Sequence, residues 1–377
     1  MKLSRRSLLA AAPFILRGQP KAPELGAMVG DVQPGQALIW SRAAEESRLI
    51  VEYAGRTIRG PICTAATDFT GRVPLRSLPF GQNISYQVRF ESRDGKLTEP
   101  IRGSFRTPAR NRDLKFFWSG DTVGQGWGIN PEWGGLRIYE TMRRLQPDFF
   151  LHSGDTIYAD GPIKSEVKLP DGSLWKNLVT EAKSKPATTL ADFRGCYQYN
   201  LMDENVRRFH SEVPQIWQWN DHEVKNNWSD HQDPLVAPAT QAFREYAPIA
   251  SESNIYRRIP YSNLLDVFVI DLRSYRGPNT YNLQTAESPE TAFFGKPQLG
   301  WLIDGLKRSR ATWKVIASDM PIGLIVGDGK DSAGRAKFEN CANGNGAPLG
   351  RELEIAHLLR ETKSVKNVVW LTADVHY

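Results

Sequence analysis

Four apolar runs in this chain each end in side chains of the types that can bind metal ions. This repeated pattern restricts the folds that the chain can adopt. Residues 149–153 form one run, which breaks at Gly154 and continues with Asp155. A short apolar run bounded by glycine predicts a buried strand, and open α/β sheets bind ligands at the carboxyl ends of their strands. The other runs end in Asp121, in Asn220-Asp221-His222-Glu223, and in Asp374-Val375-His376. Because these groups would meet at one rim of a sheet, the sequence predicts a shared metal site.

Asp155 lies at the centre of the predicted site. Tyr158 follows three residues later and His152 precedes it by three. A carboxylate, a phenol and an imidazole are donors suited to a hard or borderline metal ion. For this stretch alone, the alternative is that Asp155 caps a helix and Tyr158 packs in the core.

The predicted donors favour hydrolysis of phosphate esters. Oxygen or nitrogen donors are expected from Asp121, Asp155, Asp221, Asp374, Asn220 and His376. A bridging carboxylate would hold two ions roughly 3.5–4 Å apart, the arrangement of two-metal phosphoryl chemistry. We predict that His222 donates a proton to the leaving oxygen or stabilises the developing charge. The alternative is that His222 only supports a metal ligand through a hydrogen bond.

Length and composition set wider limits. The chain has 377 residues, enough for two domains, and a net charge of +6. The basic residues form no dense run, so no specific nucleic-acid partner is expected, and the charge mildly favours anionic substrates. The cysteines Cys63, Cys196 and Cys341 lack the spacing of a zinc site, and we expect them to be buried as small apolar side chains.

The chain divides into three predicted regions. Residues 1–23 carry Arg5-Arg6 before a short apolar run, which predicts a Tat export signal and a periplasmic or extracellular protein. A basic disordered tail is the alternative, and the run is too short for a stable membrane span. Residues 24–108 show short alternating strands and predict a fibronectin- or immunoglobulin-like all-β sandwich. Residues 112–377 alternate strands with helices and predict an α/β domain.

Within the last region we predict helices over residues 136–145, 191–209, 298–308 and 352–362. The polar residues 162–186 predict a surface excursion near the site. Residues 323–348 are rich in glycine and asparagine and predict a mobile loop. The chain stops at Tyr377, directly after a predicted ligand, and we therefore expect a truncated C-terminus.

These motifs resemble the PhoD-type alkaline phosphatase and phosphodiesterase branch of the calcineurin-like metallophosphoesterase superfamily. The matching motifs are residues 152–158, 220–227, 271–276, 300–302 with 313–314, and 374–377. The resemblance implies a four-layer α/β/β/α sandwich that hydrolyses phosphate esters with two or more metal ions. It implies a first ion, iron, on Asp155, Tyr158 and His376, and a second, calcium, on Asp155, Asp221 and Asp374. It also implies that His222 assists the chemistry.

One position departs from that branch. Where its first strand ends in a cysteine ligand, this chain has Asp121. Loss of the soft thiolate leaves an all-oxygen and nitrogen set that suits manganese or zinc as well as iron. We predict Asp121 as a direct ligand; the alternative is that it only caps the following loop. Support for the ligands or contact with substrate is predicted for His152, Asn220, Glu223, Asn227 and Arg273.

The leading hypothesis is an exported monomeric phosphomonoesterase or phosphodiesterase that acts on small phosphate esters and uses the Tat export machinery. A second hypothesis is a non-catalytic, metal-stabilised binding protein on a degenerate or truncated phosphatase domain. A third is a glycan-binding or adhesion protein led by residues 24–107.

Overall fold

The computed structural model describes residues 25–110, 112–250 and 254–375. The predicted export signal, residues 1–23, and the predicted ligand His376 lie outside the described residues. Within the described ranges, no helix combines the length and the apolar character needed to cross a membrane.

The first part of the chain is built from short strands. They are β1 (Ala27–Gln33), β2 (Gln36–Arg42), β3 (Ser47–Tyr53), β4 (Arg56–Cys63), β5 (Thr70–Arg76), β6 (Asn83–Glu91) and β7 (Ile101–Arg106). Strand β6 alternates buried and more exposed positions, as expected for a strand with one face on a core. Strands β4-β3-β6-β7 form one antiparallel sheet, and its inner face shares a core with β1, β2 and β5.

The second part alternates strands and helices. Its strands are β8 (Phe117–Ser119), β9 (Phe150–Ser153), β10 (Glu166–Lys168), β11 (Leu174–Lys176), β12 (Gln215–Gln218), β13 (Arg257–Pro260), β14 (Leu265–Val269), β15 (Trp313–Ser318), β16 (Gly327–Lys330), β17 (Ala336–Phe338) and β18 (Val368–Thr372). Its helices are α1 (Arg137–Arg144), α2 (Leu190–Asn200), α3 (Glu204–Glu212), α4 (Val236–Tyr246), α5 (Lys296–Arg308) and α6 (Glu352–Thr362).

Two larger sheets position the site. The first has six strands in the order β5-β2-β1-β12-β9-β8, and the second has the order β13-β14-β15-β18. Strands β8, β9 and β12 are parallel, as are β14, β15 and β18. Strand β1 also pairs in parallel with β12, at Gly30 and Gln215, so the six-stranded sheet continues across the predicted boundary at residue 108. The strands expected in residues 24–108 are present, whereas an independent domain there stays a prediction.

The sheets pack face to face, with helices on their outer faces. Leu151 and Ile216 of the six-stranded sheet share a core with Val267 and Val315 of the four-stranded sheet. Helices α1 to α4 cover the other face of the larger sheet, and α5 and α6 cover the other face of the smaller one. The central strands are therefore covered on both faces, which explains why β9, β12 and β14 are buried throughout. The mixed α/β class is confirmed.

The prediction of one helix over residues 191–209 is wrong, because two helices occupy this stretch. Helix α2 ends at Asn200, and α3 begins at Glu204. The carboxylate of Asp203 caps α3 by accepting hydrogen bonds from the backbone N–H groups of Asn205 and Val206, at 2.9 and 3.1 Å. Aspartate favours this capping position over a helix interior because its short side chain binds the unpaired N–H groups of the first turn.

The predicted mobile loop over residues 323–348 contains regular structure. Strands β16 and β17 pair as a hairpin within it. The residues that follow, Glu339, Asn340 and Cys341, are buried. All three cysteines are buried free thiols, as expected.

Candidate metal centre

Side chains from four strand ends meet at one rim of the molecule. Strands β8, β9 and β12 end in register, since Ser119 pairs with His152 and Gln218 pairs with Ser153. Asp121, Asp155 and Asp221 follow these strands, and Asp374 follows β18 of the facing sheet. The amide of Asn220 donates to Asp155 Oδ2 at 3.3 Å and to Asp374 Oδ1 at 3.0 Å. The predicted convergence of strand ends is therefore present in the geometry.

The backbone at these strand ends is strained. Asp121, Asp155 and Asp374 have φ values of +61°, +54° and +84°. Left-handed backbone is uncommon for residues other than glycine, and it clusters at functional sites. Gly154, with φ +96°, allows the closest approach, because a Cβ there would lie 2.7 Å from the backbone nitrogen of Asn220. The two neighbouring loops can thus touch backbone to backbone.

The buried side chain of Glu223 connects these two loops through hydrogen bonds. Its buried carboxylate accepts hydrogen bonds from the backbone N–H groups of Asp155 (3.2 Å), Thr156 (2.6 Å) and Asn220 (2.8 Å). It also accepts from the Thr156 hydroxyl at 2.6 Å. Burial raises the pKa of Glu223, although these hydrogen bonds oppose the effect. Both oxygens of the Glu223 carboxylate accept hydrogen bonds from backbone N–H groups, so Glu223 fixes the position of Asp155 relative to Asn220.

Arg273 is the buried cation of the site. Its Nε donates to Asn220 Oδ1 at 2.8 Å, its Nη1 to Glu339 Oε1 at 2.6 Å, and its Nη2 to Asp374 Oδ1 at 2.6 Å. Nη2 also lies 3.6 Å from Asp221 Oδ1. The Arg273 side chain is 0% exposed. Such a buried guanidinium orients the acids around it rather than meeting a substrate from solvent.

The pKa values of the carboxylates follow from their crowding. Burial, followed by the charges of Asp221 and Glu223, raises the pKa of Asp155 well above its ordinary value. Burial also raises the pKa of Asp374, to about 7, although Arg273 opposes this. Burial raises the pKa of Asp221 too, but the charges of Arg273 and His222 outweigh it and bring that pKa below its ordinary value. A bound cation would stabilise the ionised forms of all three.

The donor set fits a metal ion. One oxygen each of Asp221, Glu339 and Asp374 lie within 4.8 Å of one another. Asp374 Oδ2 is buried and has no hydrogen-bond partner among the described residues. Arg273 faces all three carboxylates and Arg276 Nη1 lies 3.8 Å from Glu339 Oε1, so two guanidinium groups stand against three carboxylates. This group contains Glu339 in the place that the sequence analysis gave to Asp155.

Tyr158 and His222 stack against each other beside the acidic side chains. Their ring centroids are 4.1 Å apart, with 25° between the ring planes. The Tyr158 hydroxyl donates to Asp121 Oδ1. Burial, followed by the negative charges of Asp155 and Asp121, raises the pKa of Tyr158, so the phenol stays neutral. The predicted ligands Asp121 and Tyr158 are thus in direct contact.

His222 is oriented by an aspartate that the sequence analysis did not select. Its Nδ1 lies 2.7 Å from Oδ1 of Asp160, and its backbone N–H donates to Asp155 Oδ1 at 3.2 Å. Burial lowers the pKa of His222, but Asp160 and Asp221 outweigh it and raise that pKa above its ordinary value. The sequence signal that could have identified Asp160 is its position two residues after the predicted ligand Tyr158.

Of two further predicted residues, Asn227 lies at the site and His152 does not. The backbone N–H of Asn227 donates to Asp221 Oδ2 at 2.6 Å, which places Asn227 at the site. His152 instead packs between the larger sheet and its helices, with Nε2 2.7 Å from Thr122 Oγ1 and burial lowering its pKa to about 4. Glu339 was missed because it lies in a glycine-rich segment with no apolar period.

Known proteins resemble this chain in sequence and in fold. A family model described as PhoD-like phosphatase matches residues 116–377. Alkaline phosphatase D of Bacillus subtilis (strain 168) is 28% identical over 268 residues, which cover 65% of this chain and 44% of that protein. The chain thus spans less than half the length of this curated relative.

Two solved structures share the fold. One, described as the structure of PhoD, has a TM-score of 0.74 at 22% identity and covers 97% of this chain and 73% of its own. Purple acid phosphatase PPD1 of yellow lupin (Lupinus luteus) has a TM-score of 0.58 at 14% identity, over 95% of this chain and 59% of its own.

Proposed function

The chain belongs to the PhoD-like phosphatase family, and on that premise we propose that it is an exported, metal-dependent hydrolase of small phosphate esters. The observation that carries the proposal is the convergence of Asp155 and Asp374 on the Asn220 amide, with Asp221 grouped beside Asp374 and one buried oxygen of Asp374 unpartnered among the described residues. Crowded buried carboxylates are costly unless cations compensate their charge, and a bound metal ion would add to the positive charge of Arg273. Family membership favours this activity over a non-catalytic binding protein.

The residues that would hold metal ions are Asp121, Asp155, Tyr158, Asp221 and Asp374, with Glu339 beside them and His376 as the nitrogen donor from outside the described residues. Bound ions would supply a water of lowered pKa and would polarise a phosphoryl oxygen. The resemblance implies iron and calcium, and the same donors suit manganese or zinc. Elemental analysis of protein purified without added metal decides among these ions.

His222 is the proposed proton donor to the leaving oxygen. Asp160 engages Nδ1 at 2.7 Å, so Nε2 is the atom from which the proton leaves. The raised pKa of His222 keeps a larger fraction of the ring protonated near neutral pH. Stacking on Tyr158 and the backbone bond to Asp155 fix where that proton is delivered. Arg273, Glu223 and Asn227 act by holding the acidic side chains and their loops.

The test is hydrolysis of p-nitrophenyl phosphate and bis-p-nitrophenyl phosphate, with metal content measured on the same samples. Asp155→Asn should abolish hydrolysis of both esters. Asp304→Asn, on the exposed face of α5, is the matched control and should retain wild-type rates. Wild-type rates in Asp155→Asn, or inactive wild-type protein with a full complement of metal, would reject the proposal.

Export and assembly are separate parts of the proposal. Arg5 and Arg6 precede the short apolar run that supports Tat export to the periplasm or the exterior. Replacing both arginines with lysine should retain the protein in the cytoplasm, as measured by cell fractionation. Sedimentation of the purified protein should give the mass of a monomer.

A further inference from the structure

Three tryptophans form an aromatic cluster on the surface. The ring centroids of Trp127 and Trp175 are 5.8 Å apart with planes at 80°, and those of Trp133 and Trp175 are 5.1 Å apart. Trp127 is 41% exposed and Trp133 is 50% exposed. Single exposed apolar residues are ordinary, but a contiguous aromatic patch on a soluble protein marks a binding surface. This tryptophan cluster plays no part in the chemistry described above.

The cluster is held rigidly by its surroundings. Asn177 Oδ1 accepts from Trp175 Nε1 at 2.8 Å and from the backbone N–H of Gly128 at 2.7 Å, which joins the β10–β11 hairpin to the loop that carries Trp127. An ion pair of 3.0 Å between Lys176 and Glu132 joins the same hairpin to the turn that carries Trp133. Ligand binding to a prearranged surface avoids the entropy cost of ordering these side chains.

The cluster adjoins the candidate metal centre. Gly124 lies directly on the Tyr158 ring, since a Cβ at Gly124 would be 2.3 Å from a carbon of that ring. The backbone N–H of Trp127 donates to Gly124 O at 3.0 Å, which closes a turn. The Cα atoms at the two ends of such a turn are less than about 7 Å apart. Trp127 is therefore one turn away from the phenol that contacts Asp121.

We propose that the tryptophan cluster is a substrate subsite that binds an aromatic ring in the organic group of the phosphate ester. This inference rests on the proposed function. Lys176 and Glu132 beside the cluster pair with each other, so neither charge is left to attract the phosphate itself. Indole faces carry negative electrostatic potential and pack well against flat, electron-poor rings. The phosphoryl group then lies toward Tyr158 and the acids, while the ring rests on Trp127 or Trp133.

The test compares two esters, phenyl phosphate and ethyl phosphate, in wild type, Trp127→Ala and Trp133→Ala. Each variant should raise KM for phenyl phosphate about three- to tenfold, from the typical strength of an aromatic contact, with kcat nearly unchanged. KM for ethyl phosphate should stay at the wild-type value, and Trp127→Phe should restore most of the loss. Trp313→Ala, a 49% exposed tryptophan at the start of β15, is the matched control.

A binding measurement separates this inference from the proposed function. Titration with phenylphosphonate and methylphosphonate needs no turnover, and only the phenyl compound should bind more weakly to Trp127→Ala. Equal effects on both compounds, or none, would overturn the subsite even if the wild type is an active hydrolase. Glucose 1-phosphate, assayed as a third ester, should be unaffected by Trp127→Ala; a loss confined to this ester would overturn the aromatic subsite in favour of a carbohydrate subsite. If the wild type hydrolyses neither ester but the phenyl preference persists, only the proposed function fails.

Discussion

Arg273 Nη1 donates to Glu339 Oε1 at 2.6 Å, and the two buried side chains form an ion pair across the candidate metal centre. Arg273 follows β14, whereas Glu339 follows β17 in the glycine-rich segment. The same guanidinium reaches Asp374 at 2.6 Å. Asp374 follows β18, the last strand. Its position thus depends, through Arg273, on the glycine-rich segment that carries Glu339 and whose composition predicts a mobile loop.

Glu339→Ala should destabilise the protein by about 2 kcal/mol, the scale of a hydrogen bond to a charged group, because Arg273 would lose a buried partner. Urea unfolding with an unchanged m-value measures this change. Glu361→Ala removes an exposed ion pair with Lys307 at 2.6 Å, and it should cause no measurable change. Equal stability of the two variants would show that Glu339 is dispensable to the packing around Arg273.

Asp160→Asn should lower kcat for p-nitrophenyl phosphate about ten- to a hundredfold, the usual cost of losing a residue that orients a functional side chain. The amide cannot provide the carboxylate that lies 2.7 Å from His222 Nδ1, so the ring orientation and its protonated form both lose support. Steady-state kinetics with metal content measured in parallel is the assay. The control is Asp331→Asn, a half-buried position in the hairpin of β16 and β17 whose carboxylate pairs with Arg335. A wild-type kcat in Asp160→Asn would remove Asp160 from the mechanism.

Asp121→Ala should lower metal content and activity together, because we propose a direct bond from this carboxylate to a metal ion. Asp121→Cys should keep the metal and shift any visible absorption band, since a thiolate is a softer donor. Elemental analysis and absorption spectra report both results. Metal content in Asp121→Ala equal to that of wild type would mean that Asp121 only supports the loop and the Tyr158 hydroxyl.

Acid should destabilise the fold through His210, which is buried in the core beside Tyr139 and Trp217. Burial, with a smaller effect of His152, lowers the pKa of His210 to about 3. The neutral form is therefore favoured by folding. Its stabilisation is fully present above the unfolded pKa of roughly 6.5 and is lost as pH falls from there toward 3.

Between pH 7 and pH 5 this group alone should remove about 2 kcal/mol from the free energy of unfolding. His210→Gln and His210→Leu should both reduce the pH dependence by that amount, whatever their effect at pH 7. Urea unfolding at the two pH values provides the measurement. An unchanged pH dependence in both variants would mean that other groups account for the loss at low pH.

The strand-end acids and the class of fold can be deduced from the sequence alone. The runs before Asp121, Asp155, Asp221 and Asp374 are local patterns, and parallel strands bring their carboxyl ends to one edge regardless of the rest of the chain. Family motifs such as residues 220–227 are likewise contiguous in the sequence. These features depend on neighbours in the chain, so they can be deduced without coordinates.

Which side chains lie together at the site depends on the tertiary structure. Glu339 lies at the site because Arg273, 66 residues away in the chain, donates from Nη1 to Glu339 Oε1 at 2.6 Å. His152 lies outside the site because alternate residues of a strand face opposite sides of a sheet, and the His152 side chain is on the face that packs against the helices. The pairing of β1 with β12 joins the predicted all-β segment to the larger sheet. These outcomes depend on long-range contacts and on desolvation of charge, which no local pattern encodes.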